Sequence, residues 1–161
     1  MNPTLLIAVL VMSLIPPVPA ATWDWPTQGP ERVLREFHAP LTPWGSGHRG
    51  LDLAATGTAV LAPVAGVVSF SGPVADRGVL TLTTATGDLV SFEPVTSLVD
   101  VGAVVHKGQH IALLHPGHCA TLCLHIGLRT GVEPSERYRS PRLELGILRR
   151  AVLLPWDYAL G

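Results

Sequence analysis

The chain is expected to fold as an all-β protein, an antiparallel β-sheet sandwich or barrel-sandwich hybrid, on three observations. Short β-branched or alternating apolar runs recur through its middle. A glycine-marked turn separates most of them, and stretches with helical period are nearly absent there. Composition agrees, because 16 glycines and 15 prolines with only 14% charged residues suit turn-rich β structure. An apolar share of 47% argues against disorder.

The first element is not part of that fold. Met1 to Ala20 carries no charged side chain, and Leu5 to Ile15 is apolar up to Pro16-Pro17. A bilayer span needs about 20 apolar residues, so the run is expected to be a secretory signal cut after Ala20, behind the small residues of Val18-Pro19-Ala20. No Lys or Arg precedes the run, which keeps an uncleaved membrane anchor as the alternative. Residues 21–43 form a lead-in whose Pro26, Pro30 and Pro40 rule out a long element; Glu31 to His38 is the one stretch there fit for a short helix or an extended segment.

The core domain is expected over residues 44–145. Its strands are Val60 to Ala62, Val64 to Phe70, Val79 to Thr83, Asp88 to Phe92, His110 to Leu114 and Leu122 to Arg129. Glu133 to Arg142 is polar and proline-marked, and Leu143 to Leu154 is apolar, so the boundary with a tail over 146–161 falls in a stretch that reads as either helix or strand. Eleven Lys plus Arg stand against twelve Asp plus Glu, which leaves no basic field for nucleic acid or anionic lipid.

The chemistry begins at His48 and Asp52, four residues apart, and at His125 on the last alternating run. Together they supply three N/O ligands of the kind Zn²⁺ accepts, and a three-ligand zinc keeps a position open for reaction. Cys123 lies two residues before His125, so on a strand the two share a face. Cys119 and Cys123 are four apart, and in an oxidising compartment such a pair is a disulfide. A reduced Cys123 is the alternative, and it would close the zinc shell as a fourth ligand.

Four blocks then occur in order: Gly47-His48-Arg49-Gly50-Leu51-Asp52-Leu53-Ala54, Gly57 to Val68, Val101 to Ala112, and Leu124-His125-Ile126-Gly127-Leu128-Arg129. In that order they resemble the M23 peptidases, which include lysostaphin-like and LytM-like domains, secreted zinc endopeptidases that cut peptide cross-links of bacterial cell walls. The resemblance implies one zinc on His48, Asp52 and His125. It also implies two catalytic histidines, one two residues before the last ligand and one in a Tyr-x-His motif. Those positions here hold Cys123 and, in Phe92-Glu93-Pro94-Val95, Pro94. Proline offers no side-chain donor or acceptor, and a bonded cysteine accepts no proton, so the expected domain is catalytically impaired.

That expectation gives a domain that binds peptidoglycan stem or cross-link peptides, or regulates a partner cell-wall hydrolase. The rival is a working endopeptidase with a relocated base drawn from Glu93, His115 or His118. Trp44, Arg49 and Arg129 are expected along the substrate groove, the arginines facing a peptide carboxylate. A third reading, a lipoyl-type carrier, would need a lysine at an exposed hairpin tip between short partner residues, and Lys107, the only lysine, lacks that setting.

Overall fold

The computed structural model describes residues 23–42, 45–131 and 137–147. Its elements in chain order are β1 (Val33–Arg35), β2 (Gly50–Ala54), β3 (Ala59–Leu61), β4 (Gly66–Val74), β5 (Arg77–Thr84), β6 (Leu89–Glu93), β7 (Val95–Ser97), β8 (Val104–Val105), β9 (His110–Leu114), β10 (Cys123–Thr130) and β11 (Arg137–Arg139). All pairings among them are antiparallel. The larger sheet runs β1-β2-β10-β6-β5-β4-β8, with β11 also on β10, and a smaller one runs β3-β9-β7. The all-β expectation is met.

Alternation separates two faces of the large sheet. One row, Leu128 opposite Val90 and Val90 opposite Leu82, opposite Val68 in turn, is buried to 1% exposure or less. These side chains, with Leu51, Leu53, Phe92, Leu124 and Ile126, meet Val60, Ile111 and Leu114 of the small sheet to form the core. The other face carries Asp52, His125 and Glu93, which lie opposite one another across β2, β10 and β6. The chain leaves the large sheet after Glu93 and enters the small one at Val95, so Pro94 is the corner between them.

The lead-in is extended. Val33 and Arg35 pair with Leu53 and Asp52, and His38 bridges His48. That strap lies along β2 as the edge of the large sheet. The leader and most of the tail, Leu143 to Leu154 included beyond residue 147, lie outside the described residues; residues 141–146 form turns.

Gly50 shows why the motif needs its second glycine. A Cβ there would stand 2.2 Å from the Ile126 carbonyl oxygen and 2.6 Å from His125 Nε2. Gly50→Ala is therefore expected to force β2 off β10, lowering stability by about 1–3 kcal/mol or more, read from the urea midpoint of the purified domain. A variant as stable as the parent would show that the two strands do not pack this closely.

Candidate metal centre

His48 enters from the turn before β2, Asp52 from its middle and His125 from the facing position on β10. Asp52 and His125 share a face because they are register partners, and Gly50 leaves room for the His125 ring. His48 Nδ1 donates to the Glu36 carbonyl at 2.7 Å. A carbonyl only accepts, so the proton is on Nδ1, and in the neutral ring Nε2 presents a lone pair to the cluster. Glu36 is itself held by its carboxylate to Arg142. This outer contact orients the ring as a ligand histidine is oriented.

Around Asp52 Oδ1 stand three imidazole nitrogens: His125 Nδ1 at 2.8 Å, His48 Nε2 at 3.0 Å and His118 Nε2 at 3.0 Å. His48 Nε2 lies 3.1 Å from His125 Nδ1, and the four ligand atoms lie within 4.8 Å of one another. The edge of a tetrahedron with bonds of 2.0–2.1 Å is about 3.3 Å, so the His48, Asp52 and His125 atoms are spaced for one small cation. The lone pair of His48 and the Asp52 carboxylate, side by side and almost out of solvent, are a donor set that fits a zinc ion.

Charge explains the state of Asp52. Burial pushes its carboxyl upward, but the hydrogen bond from His125 and the electrostatic interaction with His48, His125 and His118 outweigh burial and bring it to about 2, from an ordinary 3.8. A lowered folded-state value means the stabilisation is fully present above 3.8 and is lost as the pH falls through about 2. The expected result for metal-free protein is an NMR titration of the Asp52 carboxyl with its midpoint near 2. A midpoint at the ordinary value would mean that the imidazoles do not surround it.

Glu93 shares the face of His125 by register, but its carboxylate accepts from Arg77 Nε at 3.1 Å. His115 accepts or donates at Nε2 with the Thr96 hydroxyl, 2.7 Å away, and lies outside the cluster. His118 is inside it. Arg49 donates to the Gly45 carbonyl and stands 5.6 Å from the Tyr138 ring centroid, lining with Arg137 a separate cleft of about 340 Å³. Arg129 is half-buried opposite Tyr138. Trp44 lies outside the described residues. Lys107 is in an ion pair with Asp24 at 2.8 Å.

The sequence offers His118 as one of three candidate bases, beside Glu93 and His115, and does not single it out. It reaches Asp52 because the next residue, Cys119, is bonded to Cys123 at the start of β10, with an S–S distance of 2.02 Å. Cys123 pairs with Ala54 of β2, so the disulfide ties the loop to the strand pair that carries the ligands. Beside the cluster, a cleft of about 330 Å³ is lined by Arg77, Pro94, His115 and His118 among others.

The family model for peptidase family M23 matches residues 46–137, which contain the whole cluster. Uncharacterized proteins of Mycobacterium tuberculosis and Mycobacterium bovis are 37% identical over 151 residues, covering 89% of this chain and 59% of theirs. The chain thus spans well under two thirds of the length of these relatives. Among solved structures, the catalytic domain of lysostaphin from Staphylococcus simulans, an antimicrobial peptidase, aligns with a TM-score of 0.58 at 19% identity, covering 72% of this chain and 92% of that domain. A zinc-containing peptidase from Vibrio cholerae aligns with a TM-score of 0.53 at 22% identity, covering 66% of this chain and 36% of that one. These likenesses speak for the fold. With more than half the chain matched by the family model and the His/Asp cluster inside the matched residues, the chain belongs to peptidase family M23.

Proposed function

We propose that this chain is an exported zinc endopeptidase domain that hydrolyses peptide bonds in peptidoglycan stems or cross-links, with His48, Asp52 and His125 holding one zinc and His118 as the relocated base. One observation carries the reading: His118 Nε2 lies 3.0 Å from Asp52 Oδ1. The imidazole missing at positions 94 and 123 is thereby supplied from the loop before β10. Zinc bound there would supply Lewis-acid chemistry for attack of water on a peptide carbonyl.

The chain's own residues do the rest. The Glu36 carbonyl fixes the His48 tautomer, and the Gly50 pocket fixes the His125 ring. His118, at 18% side-chain exposure, is open enough to exchange a proton and buried enough to be held in place. It takes the proton of the attacking water and returns it to the leaving amine. Export rests on the apolar leader over residues 1–20 and accords with the disulfide.

A second reading has its own support. Pro94 lines the cleft and Cys123 is bonded, so neither of the family's usual catalytic positions offers an imidazole. On that ground the domain would bind wall peptides, or regulate a partner hydrolase, without cutting. The deciding experiment incubates zinc-loaded protein with purified peptidoglycan and counts new amino termini. Release that disappears in His48→Ala supports the endopeptidase. Sedimentation with the wall and no release supports the binding domain.

A further inference from the structure

The disulfide and the cluster are made from one short stretch of chain. His118 precedes Cys119, Cys123 opens β10, and His125 follows two residues later. The loop between β9 and β10 contains Pro116 and Gly117, the latter at φ +116°, and has no regular structure to aim His118. Its ring meets Asp52 Oδ1 at 3.0 Å, and covalent attachment of its neighbour to β10 is the constraint that holds the backbone there.

Cys123 also has a latent capacity. It shares the face of His125 by strand alternation, and at 2% exposure it is out of solvent. Its backbone is fixed by pairing with Ala54, independently of the disulfide. Bonded to Cys119, its sulfur is a poor metal donor. As a thiolate it would be a strong one for zinc.

We infer that the Cys119–Cys123 bond sets the state of this site: open beside the His118 base when oxidised, closed by the Cys123 thiolate as fourth ligand when reduced. The inference rests on the reading of the cluster as a zinc centre. A dithiol reductant breaks the S–S bond and is itself oxidised to a disulfide, and its two protons pass to the sulfurs of Cys119 and Cys123. Cys119 and the loop are then free of the strand, and His118 leaves with them. Cys123 stays on β10, gives its proton to solvent and closes the shell with His48, Asp52 and His125. Four protein ligands make a closed, structural zinc site, whereas three leave it open. The domain is thus competent for hydrolysis where disulfides form, and shut where they are reduced.

The test uses cobalt(II) in place of zinc, because thiolate ligation gives cobalt a charge-transfer band that imidazole and carboxylate do not. The expected band is absent from oxidised wild-type protein. It appears after reduction with a phosphine, and appears without reductant in Cys119→Ser, which leaves Cys123 free. It is absent from Cys123→Ser in either condition. Cobalt bound with the same spectrum in all of these overturns the exchange while leaving the metal centre standing. Failure of every form to bind cobalt overturns both.

Discussion

Wild-type protein is expected to carry about one zinc per chain, and His48→Ala and Asp52→Ala to carry none, while His106→Ala retains it. The argument is geometric and electrostatic. Asp52 Oδ1 is the common neighbour of three imidazole nitrogens at 2.8–3.0 Å, so its loss removes the only anion of the cluster. His48 is locked by the Glu36 carbonyl with its lone pair inward, so its loss removes the donor that needs least rearrangement. His106 is exposed and lies outside the cluster. Metal binding also stabilises the fold by mass action, about 2.7 kcal/mol at a hundredfold excess over Kd. Chelation should therefore lower Tm by roughly 10 °C for a domain of this size, and added zinc should restore it in wild type and His106→Ala but not in His48→Ala or Asp52→Ala. Metal analysis of the purified proteins and thermal scans with and without chelator check the two parts. Zinc retained at one per chain in both variants would place the metal elsewhere.

How much of this was legible in the sequence depends on which physical signal each feature leaves. The strands that alternate were readable: β4, β5, β6, β9 and β10 fall within a few residues of the runs that predict them. β2 was not read as a strand because its alternation is only Leu51-Asp52-Leu53 long, with a glycine and an alanine at the ends, too short a run to show a period of two. β7, β8 and β11 have three residues or fewer and leave no period to detect. The lead-in was open between helix and extended chain, and pairing with β2 decided it. At the site, His48, Asp52 and His125 were found because spacing and strand position both bear on them. His118 was underrated because its place comes from a cross-link and a loop, and neither leaves a periodic trace. The signal that did exist was its position next to a cysteine whose partner lies two residues from His125.

The largest functional effect is expected from His118→Ala, a fall in kcat of about 10²–10⁴-fold with the zinc content unchanged. Both halves of that statement are needed. A proton acceptor beside an open metal position lowers the barrier without holding the metal, so its removal should spare stoichiometry and remove rate. A fourth ligand would do the reverse, since its removal would weaken zinc binding and open the site, and activity would hold or rise. The competing candidates provide the contrast. Glu93 is paired with Arg77, and the His115 ring nitrogen is engaged by Thr96, so Glu93→Gln and His115→Ala should each leave kcat within a few-fold. Peptide-bond hydrolysis of a cross-linked wall fragment, followed across pH, separates the cases. The His118→Ala profile should lose the limb that reports the base, whereas a merely structural loss would scale the whole profile down. Full activity in His118→Ala with one zinc bound would remove His118 from the chemistry and return the weight to the binding role that Pro94 and the bonded Cys123 favour.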